Sequence, residues 1–294
     1  MRQIFPVRTG AGNPPGPADA PGPADAPGPA DAPDPADPPG PADPPGAAGH
    51  LIAGLGDIYA FPGRLWVKAN MIASVDGAIA LDGRSGGLSG AGDRLVFTVL
   101  RSLADVIVVG AGTARAERYR QAQPDELWQQ LRAGRSPAPP VAVITRRLDL
   151  DLGSRLFGPG TGRPSDGLAR TIVMTTELAP EDRLTAAARV ADVVVAGAES
   201  VTATAAVEAL AKRGYRRILV EGGPMLLGQI AAEGLLDELC LTISPLLEGG
   251  YATGRVTWRC GPAEVTGLRL ATLLEDDGFL LSRYVRAARP RPGA

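Results

Sequence analysis

Glu221-Gly222-Gly223-Pro224 is the stretch of this chain best suited to chemistry. Three apolar residues, Ile218, Leu219 and Val220, precede it and read as a short buried strand. Met225, Leu226 and an apolar helical run follow, and Gly234 stops that run. Proline suits the first turn of a helix and glycine the residue after its last. A strand, a glycine turn and a helix start aim backbone N–H groups and a positive helix end at one spot, which suits a phosphate. The same spacing equally describes an ordinary tight turn. Glu221 tips the balance, because a carboxylate beside a phosphate is repelled unless it binds something else, such as a substrate N–H.

Four further groups lie at corresponding places. Asp76 falls at or just past the end of strand 66–73, where ligands of open α/β sheets bind; a turn or cap role suits it equally. Arg101 lies near the end of helix 93–103, where a solvated cation is the commoner role. Gly110-Ala111-Gly112-Thr113 follows strand 106–109, and Thr113 can bond a ligand or cap the turn. Thr145-Arg146 ends strand 141–144, and Arg146 there can grip a 2′-phosphate and favour NADPH over NADH, or be one surface arginine among many.

These groups need a sheet to hold them. Short continuous apolar runs at 106–109, 141–144, 171–174, 193–195 and 218–220 have the pattern of parallel strands covered on both faces. Amphipathic spacing predicts helices over 93–103 and 202–213. The strand 236–243 and the hairpin signal Asp276-Asp277-Gly278 close the chain. The fold class is therefore α/β, a mostly parallel central sheet with helices on both faces and an antiparallel C-terminal hairpin. Segments 115–140 and 151–167 read as loops or insertions. The five glycines of 83–92 predict a loop able to change shape over a substrate.

Composition narrows the classes. A net charge of −2 in 294 residues gives no electrostatic footprint for nucleic acid. No apolar run is long enough to span a membrane, no signal-peptide pattern is present, and two cysteines suit a reducing compartment; together these predict a cytoplasmic protein. Residues 15–46 repeat Pro, Gly, Ala and Asp and cannot form a core. The expected organisation is a disordered tail at 1–52, one folded domain at 53–288 and a flexible tail at 289–294. A chain starting near Gly54 should then keep its stability. His50 is assigned no role, and no metal site is expected.

Ala73-Ser74-Val75-Asp76-Gly77, Leu100-Arg101, Gly110-Ala111-Gly112-Thr113, Glu221-Gly222-Gly223-Pro224 and Leu236-Asp237-Glu238-Leu239 stand in the order of a known family. From 65 to 285 the chain resembles the riboflavin-biosynthesis pyrimidine reductases (RibD C-terminal domain-like), and within them the stand-alone actinobacterial type. The resemblance implies a dihydrofolate-reductase-like fold. It also implies NADPH as cofactor and reduction of the ribosyl group of 5-amino-6-(5-phosphoribosylamino)uracil to ribityl.

Carried over by motif, the resemblance makes Ala73, Thr113, Thr145 and the turn from Gly223 through Pro224, Met225 and Leu226 cofactor positions. Gly110, Gly112, Arg146 and Gly222 join them by their place at strand ends. Gly87 and Glu117 align with cofactor positions where relatives often carry a large residue and an aspartate. Ser85, Arg101 and Glu221 match substrate contacts. The substrate-phosphate arginine of the family has Arg118 and Arg120 as candidates. Asp76 or Glu221 would deliver the proton, and the sequence does not choose between them. A homodimer is implied as well, and the apolar strand 239–243, near the sheet edge, would need covering. The zinc deaminase that many relatives carry is excluded, since no His-x-Glu or Pro-Cys-x-x-Cys set exists. The competing readings are a dihydrofolate or pteridine reductase of the same fold and a non-catalytic NADP-binding protein.

Overall fold

The computed structural model describes residues 1–5, 45–124, 126–132, 134–158, 168–249, 255–257 and 265–287. The first elements are β1 (Arg2–Phe5), α1 (Pro45–Ile58), β2 (Trp66–Ser74), α2 (Ala91–Leu103), β3 (Val106–Gly110) and α3 (Ala111–Ala116). There follow α4 (Glu126–Leu131), β4 (Val141–Ile144), β5 (Ile172–Thr175), α5 (Glu181–Val190) and β6 (Asp192–Val195). The chain continues through α6 (Ala203–Lys212), β7 (Arg217–Val220), α7 (Pro224–Ala232), β8 (Glu238–Ser244), β9 (Leu268–Asp276) and β10 (Phe279–Arg286).

Side chains two apart share a face of a strand, and here both faces are apolar. Ile107 and Val109 of β3 pack with α1, α2 and α4. Val106 and Val108 pack with α6 and α7 on the opposite face. Helices thus cover both faces, as the continuous apolar runs require. The strands form one sheet in the order β1-β9-β10-β8-β2-β7-β3-β4-β5-β6. Every pairing from β8 to β6 is parallel, and β10 pairs antiparallel with both β8 and β9. The fold class read from the sequence is the one observed. The β9–β10 turn has Asp277 and Gly278 both at positive φ, the geometry Asp-Gly favours in two-residue hairpins.

Several elements differ from expectation. Strand β8 lies inside the sheet between β10 and β2, so the edge argument for a dimer does not hold; antiparallel pairing with β10 covers it. The boundary expected at 52/53 falls inside α1, whose Ile52 and Leu55 are buried, with Tyr59 just after it. Arg2–Phe5 pairs with β9, so residues placed in the expected tail belong to the sheet. The Pro-rich repeat up to residue 44 and the C-terminal tail at 289–294 lie outside the described residues, and the last two residues of the repeat, Pro45 and Gly46, open α1. Segment 115–140 is more than a loop: it contains α4, and Trp128 is buried against the core. Just past α4, Arg132 donates to the carbonyls of Ser102 and Ala104. Arg135 donates to those of Leu103 and Ser102. Two guanidinium groups thereby satisfy the carbonyls left free at the end of α2.

A buried polar cluster ties β2, β8 and β10 together beneath the site. Lys68 and Glu238 are both wholly buried, 3.0 Å apart. Arg283 Nε and Trp66 Nε1 donate to the two Glu238 oxygens at 2.7 and 3.0 Å. Lys68 Nζ also donates to the Tyr59 carbonyl and stands 4.2 Å from the Phe61 ring centre. The cluster fastens the chain after α1 to the sheet.

Candidate active site

Because β2, β7, β3 and β4 are parallel neighbours, their C-terminal ends lie side by side. At the middle of this row is the turn at Glu221-Gly222-Gly223. Gly222 has φ +115, a conformation that favours glycine, and the peptide joining it to Gly223 is cis. Gly110 N donates to the Gly222 carbonyl at 2.9 Å, which fixes the turn to the end of β3. A Cβ on Gly223 would stand 2.5 Å from Thr113 Oγ1. Gly223 caps α7 in an extended conformation, and Pro224 opens that helix.

Beside this turn is a cavity of about 310 Å³ whose lining runs from Asn70 on β2 to Pro224 on α7. Arg101 and Glu221 meet on its wall. Arg101 Nε and Nη2 donate to the two Glu221 oxygens at 2.7 and 2.6 Å. Tyr119 Oη donates to the second of these oxygens at 2.9 Å. The guanidinium lies 4.1 Å from the Phe97 ring centre. Burial disfavours the Arg101 charge, but Glu221 beside it outweighs this and its pKa is raised. Burial and the Glu221 charge push the Tyr119 phenol well above its usual value, so Tyr119 is a neutral donor. Arg101 is therefore no solvated helix end.

The other predicted residues divide into two groups. Ser85, Gly112, Thr113, Glu117, Gly222, Gly223 and Pro224 line the cavity. Glu117 Oε1 accepts the Ser85 backbone N–H at 2.8 Å, so it holds the glycine-rich loop, which carries a short 3-10 turn at Gly86–Leu88. Arg118 and Arg120 also line the cavity. Ala73, Gly87, Gly110, Thr145, Arg146, Met225 and Leu226 are not on the lining. Of these, Gly110, Thr145 and Arg146 lie at the adjoining ends of β3 and β4, and Met225 and Leu226 in the first turn of α7. The Leu226 side chain belongs to the core, so its backbone alone is available to a ligand.

Asp76 is also off the cavity lining, and its geometry does not suit proton delivery. The exposed carboxylate accepts from the Ser74 hydroxyl and from the amides of Glu248 and Gly249, at 3.4 and 3.0 Å. Chiefly through the Ser74 bond, its pKa is lowered to about 2. Asp76 clamps the turn after β2 to the segment after β8. Glu221 is in the cavity, but guanidinium and phenol groups already occupy both its oxygens.

Sequence reasoning passed over Asp93, Phe97 and Tyr119 as site residues. Asp93, Phe97 and Arg101 are spaced by four along α2, which puts them on one face, and all three line the cavity. That spacing was the available signal.

A parallel-sheet edge with a glycine turn, a helix N-terminus and an adjoining cavity is the ligand-binding arrangement of an open α/β domain. The chain belongs to the RibD C-terminal domain family, whose family model matches residues 65–278. It is an oxidoreductase of the pyrimidine reductase type. It is 32% identical over 190 residues to the 2,5-diamino-6-ribosylamino-4(3H)-pyrimidinone 5′-phosphate reductase of Archaeoglobus fulgidus, covering 64% of this chain and 83% of that one. With the enzyme of the same name from Methanothermobacter thermautotrophicus it shares 30% identity over 64% of this chain and 81% of the relative. A crystal structure of a pyrimidine reductase-like protein from Corynebacterium diphtheriae superposes with a TM-score of 0.72 at 28% identity, over 80% of this chain and 99% of that one.

Proposed function

We propose that this chain is an NADPH-dependent reductase of riboflavin biosynthesis that converts the ribosyl group of a phosphoribosylaminopyrimidine to ribityl. The observation that carries this reading is the Arg101–Glu221–Tyr119 constellation set in a cavity beside the glycine turn of α7. The curated relatives are named for the 2,5-diamino pyrimidinone. The uracil form expected from the sequence differs from it at ring position 2, and the reduced carbon, C1′ of the sugar, is the same in both.

The residues present fit a dinucleotide. Backbone without Cβ atoms at Gly222 and Gly223, continued by the positive end of α7, suits a pyrophosphate. Thr113 lies against this turn, with Thr145 and Arg146 at the next strand end for the adenosine side. Bound there, the nicotinamide would supply the hydride that reduces C1′. Arg101 and Tyr119, held by Glu221, are placed to orient the pyrimidine ribotide, and Arg118 and Arg120 to take its phosphate. Positioning of this kind supplies much of the rate in a two-substrate reaction.

The test is NADPH oxidation by purified protein with the diaminopyrimidinone ribotide, its uracil counterpart and dihydrofolate offered in parallel. Oxidation with a ribotide and none with dihydrofolate is expected. Oxidation with dihydrofolate alone overturns the reading in favour of a pteridine reductase, and none with any substrate in favour of a non-catalytic binding protein. A homodimer acting in the cytoplasm completes the proposal; a monomer mass by light scattering at micromolar concentration would remove the dimer. Among the described residues no helix is long and apolar enough to cross a membrane.

A further inference from the structure

Reduction of a ribosylamine adds one hydride and one proton, and neither acid expected from the sequence is placed to give the proton. Asp76 is outside the cavity and held ionised by its hydrogen bonds. Glu221 has both oxygens engaged. Two other carboxyls line the cavity: Glu117, whose Oε1 holds the Ser85 backbone amide of the glycine-rich loop, and Asp93. Asp93, in the first turn of α2, is 8% exposed and lines the same cavity as Arg101 and Thr113. We infer that Asp93 is the general acid of this reaction, protonating the ribose ring oxygen as the sugar opens. The inference rests on the proposed ribotide substrate.

The step balances as follows. The C1′–O4′ bond breaks and its electron pair leaves with O4′, which takes the proton of the Asp93 carboxyl and becomes the 4′-hydroxyl. The exocyclic nitrogen lone pair forms a C1′=N bond, and the resulting iminium faces the new Asp93 carboxylate. The hydride that a bound reduced nicotinamide would supply, itself becoming oxidised, would add to C1′ and return the pair to nitrogen. Solvent then reprotonates Asp93.

The surroundings suit an acid that holds its proton. Burial raises the Asp93 pKa, opposed by hydrogen bonds from Ser89 and Thr242 and by the Arg94 charge. Ser89 Oγ donates to Asp93 Oδ2 at 2.5 Å. Arg94 is on its own helix, Thr242 on β8, and the Tyr59 hydroxyl, itself pushed up by burial, lies close enough to sense the Asp93 charge. Asp276 on β9 stands behind the neighbouring Gly92. Arg94 is the cation that lowers the Asp93 pKa most, and among the described residues no guanidinium engages both its oxygens as Arg101 does those of Glu221.

The experiment compares wild type with Asp93→Asn, which keeps an acceptor for Ser89 but has no proton to give. The expected loss in kcat/KM is about hundredfold or more, with the NADPH dissociation constant and melting temperature held. Wild-type kcat/KM should fall at alkaline pH as Asp93 ionises, and that limb should vanish in Asp93→Asn. Ser89→Ala removes a donor to the charged form, so its alkaline limb should move to higher pH. Independently of turnover, infrared difference spectra near neutral pH should show a neutral-carboxyl band lost in Asp93→Asn. An active wild type whose Asp93→Asn form matches it, or keeps the alkaline limb, overturns the assignment alone. So does an absent carboxyl band. Asp93→Asn that fails to fold, with Ser89→Ala leaving the limb unmoved, makes Asp93 a structural cap. A wild type inactive with both ribotides overturns the proposed function and this assignment with it.

Discussion

Arg101 and Glu221, 120 residues apart in sequence, form a two-pronged ion pair with contacts of 2.7 and 2.6 Å. One comes from the last turn of α2 and the other from the residue after β7. The Glu221 side chain is 1% exposed and that of Arg101 18%. Breaking such a pair leaves a buried charge without its partner, which is strongly destabilising.

Glu221→Gln therefore has two expected effects. Loss of a charged hydrogen bond corresponds to a fall in kcat/KM of about tenfold or more, while the cofactor dissociation constant stays within about a factor of two. Urea denaturation should show a stability loss of about 3 kcal/mol, because Arg101 remains buried. A variant that loses cofactor binding but keeps turnover of what binds would move Glu221 to the cofactor side.

Arg146, exposed at the end of β4, is the proposed grip on the 2′-phosphate. Arg146→Ala should weaken NADPH binding about tenfold or more and leave NADH binding nearly unaltered. Fluorescence titration with both nucleotides measures this, and an equal loss for both would place Arg146 elsewhere.

Asp76 predicts a pH effect. Its folded pKa of about 2 lies below the model-peptide value of 3.8. Its contribution is therefore present above pH 3.8 and is lost as pH falls toward 2. Asp76→Asn should flatten stability across this acid window and speed hydrogen exchange at Glu248 and Gly249, while retaining most turnover near neutral pH. A collapse of turnover with exchange unchanged would return Asp76 to the chemistry.

Residues before Gly54 now matter. A chain starting there loses β1 and much of α1, including the buried Ile52, and should melt at a lower temperature than the full chain. Ile52→Ala in the full chain should cost about 2 kcal/mol or more. An unchanged melting temperature in both would show that α1 adds nothing to the core.

The core strands were legible because each is a continuous apolar run, and the hairpin because Asp-Gly tolerates positive φ. Glycines at 222 and 223 with Pro224 marked the tight turn into α7 for the same local reason. Elements set by distant partners were not legible. Helix α4 has six residues and little periodicity of its own; it is held by Trp128 in the core and by Arg132 and Arg135 gripping the end of α2. The resemblance pointed to Arg101 as a substrate contact, yet its local sequence reads as a surface cation until β7 brings Glu221 to it. Asp76 and Asp93 are alike as letters, each near an element end. Chain folding alone leaves one exposed and hydrogen-bonded to Ser74 and to backbone amides, which lowers its pKa, and encloses the other in a cavity wall, where burial raises it.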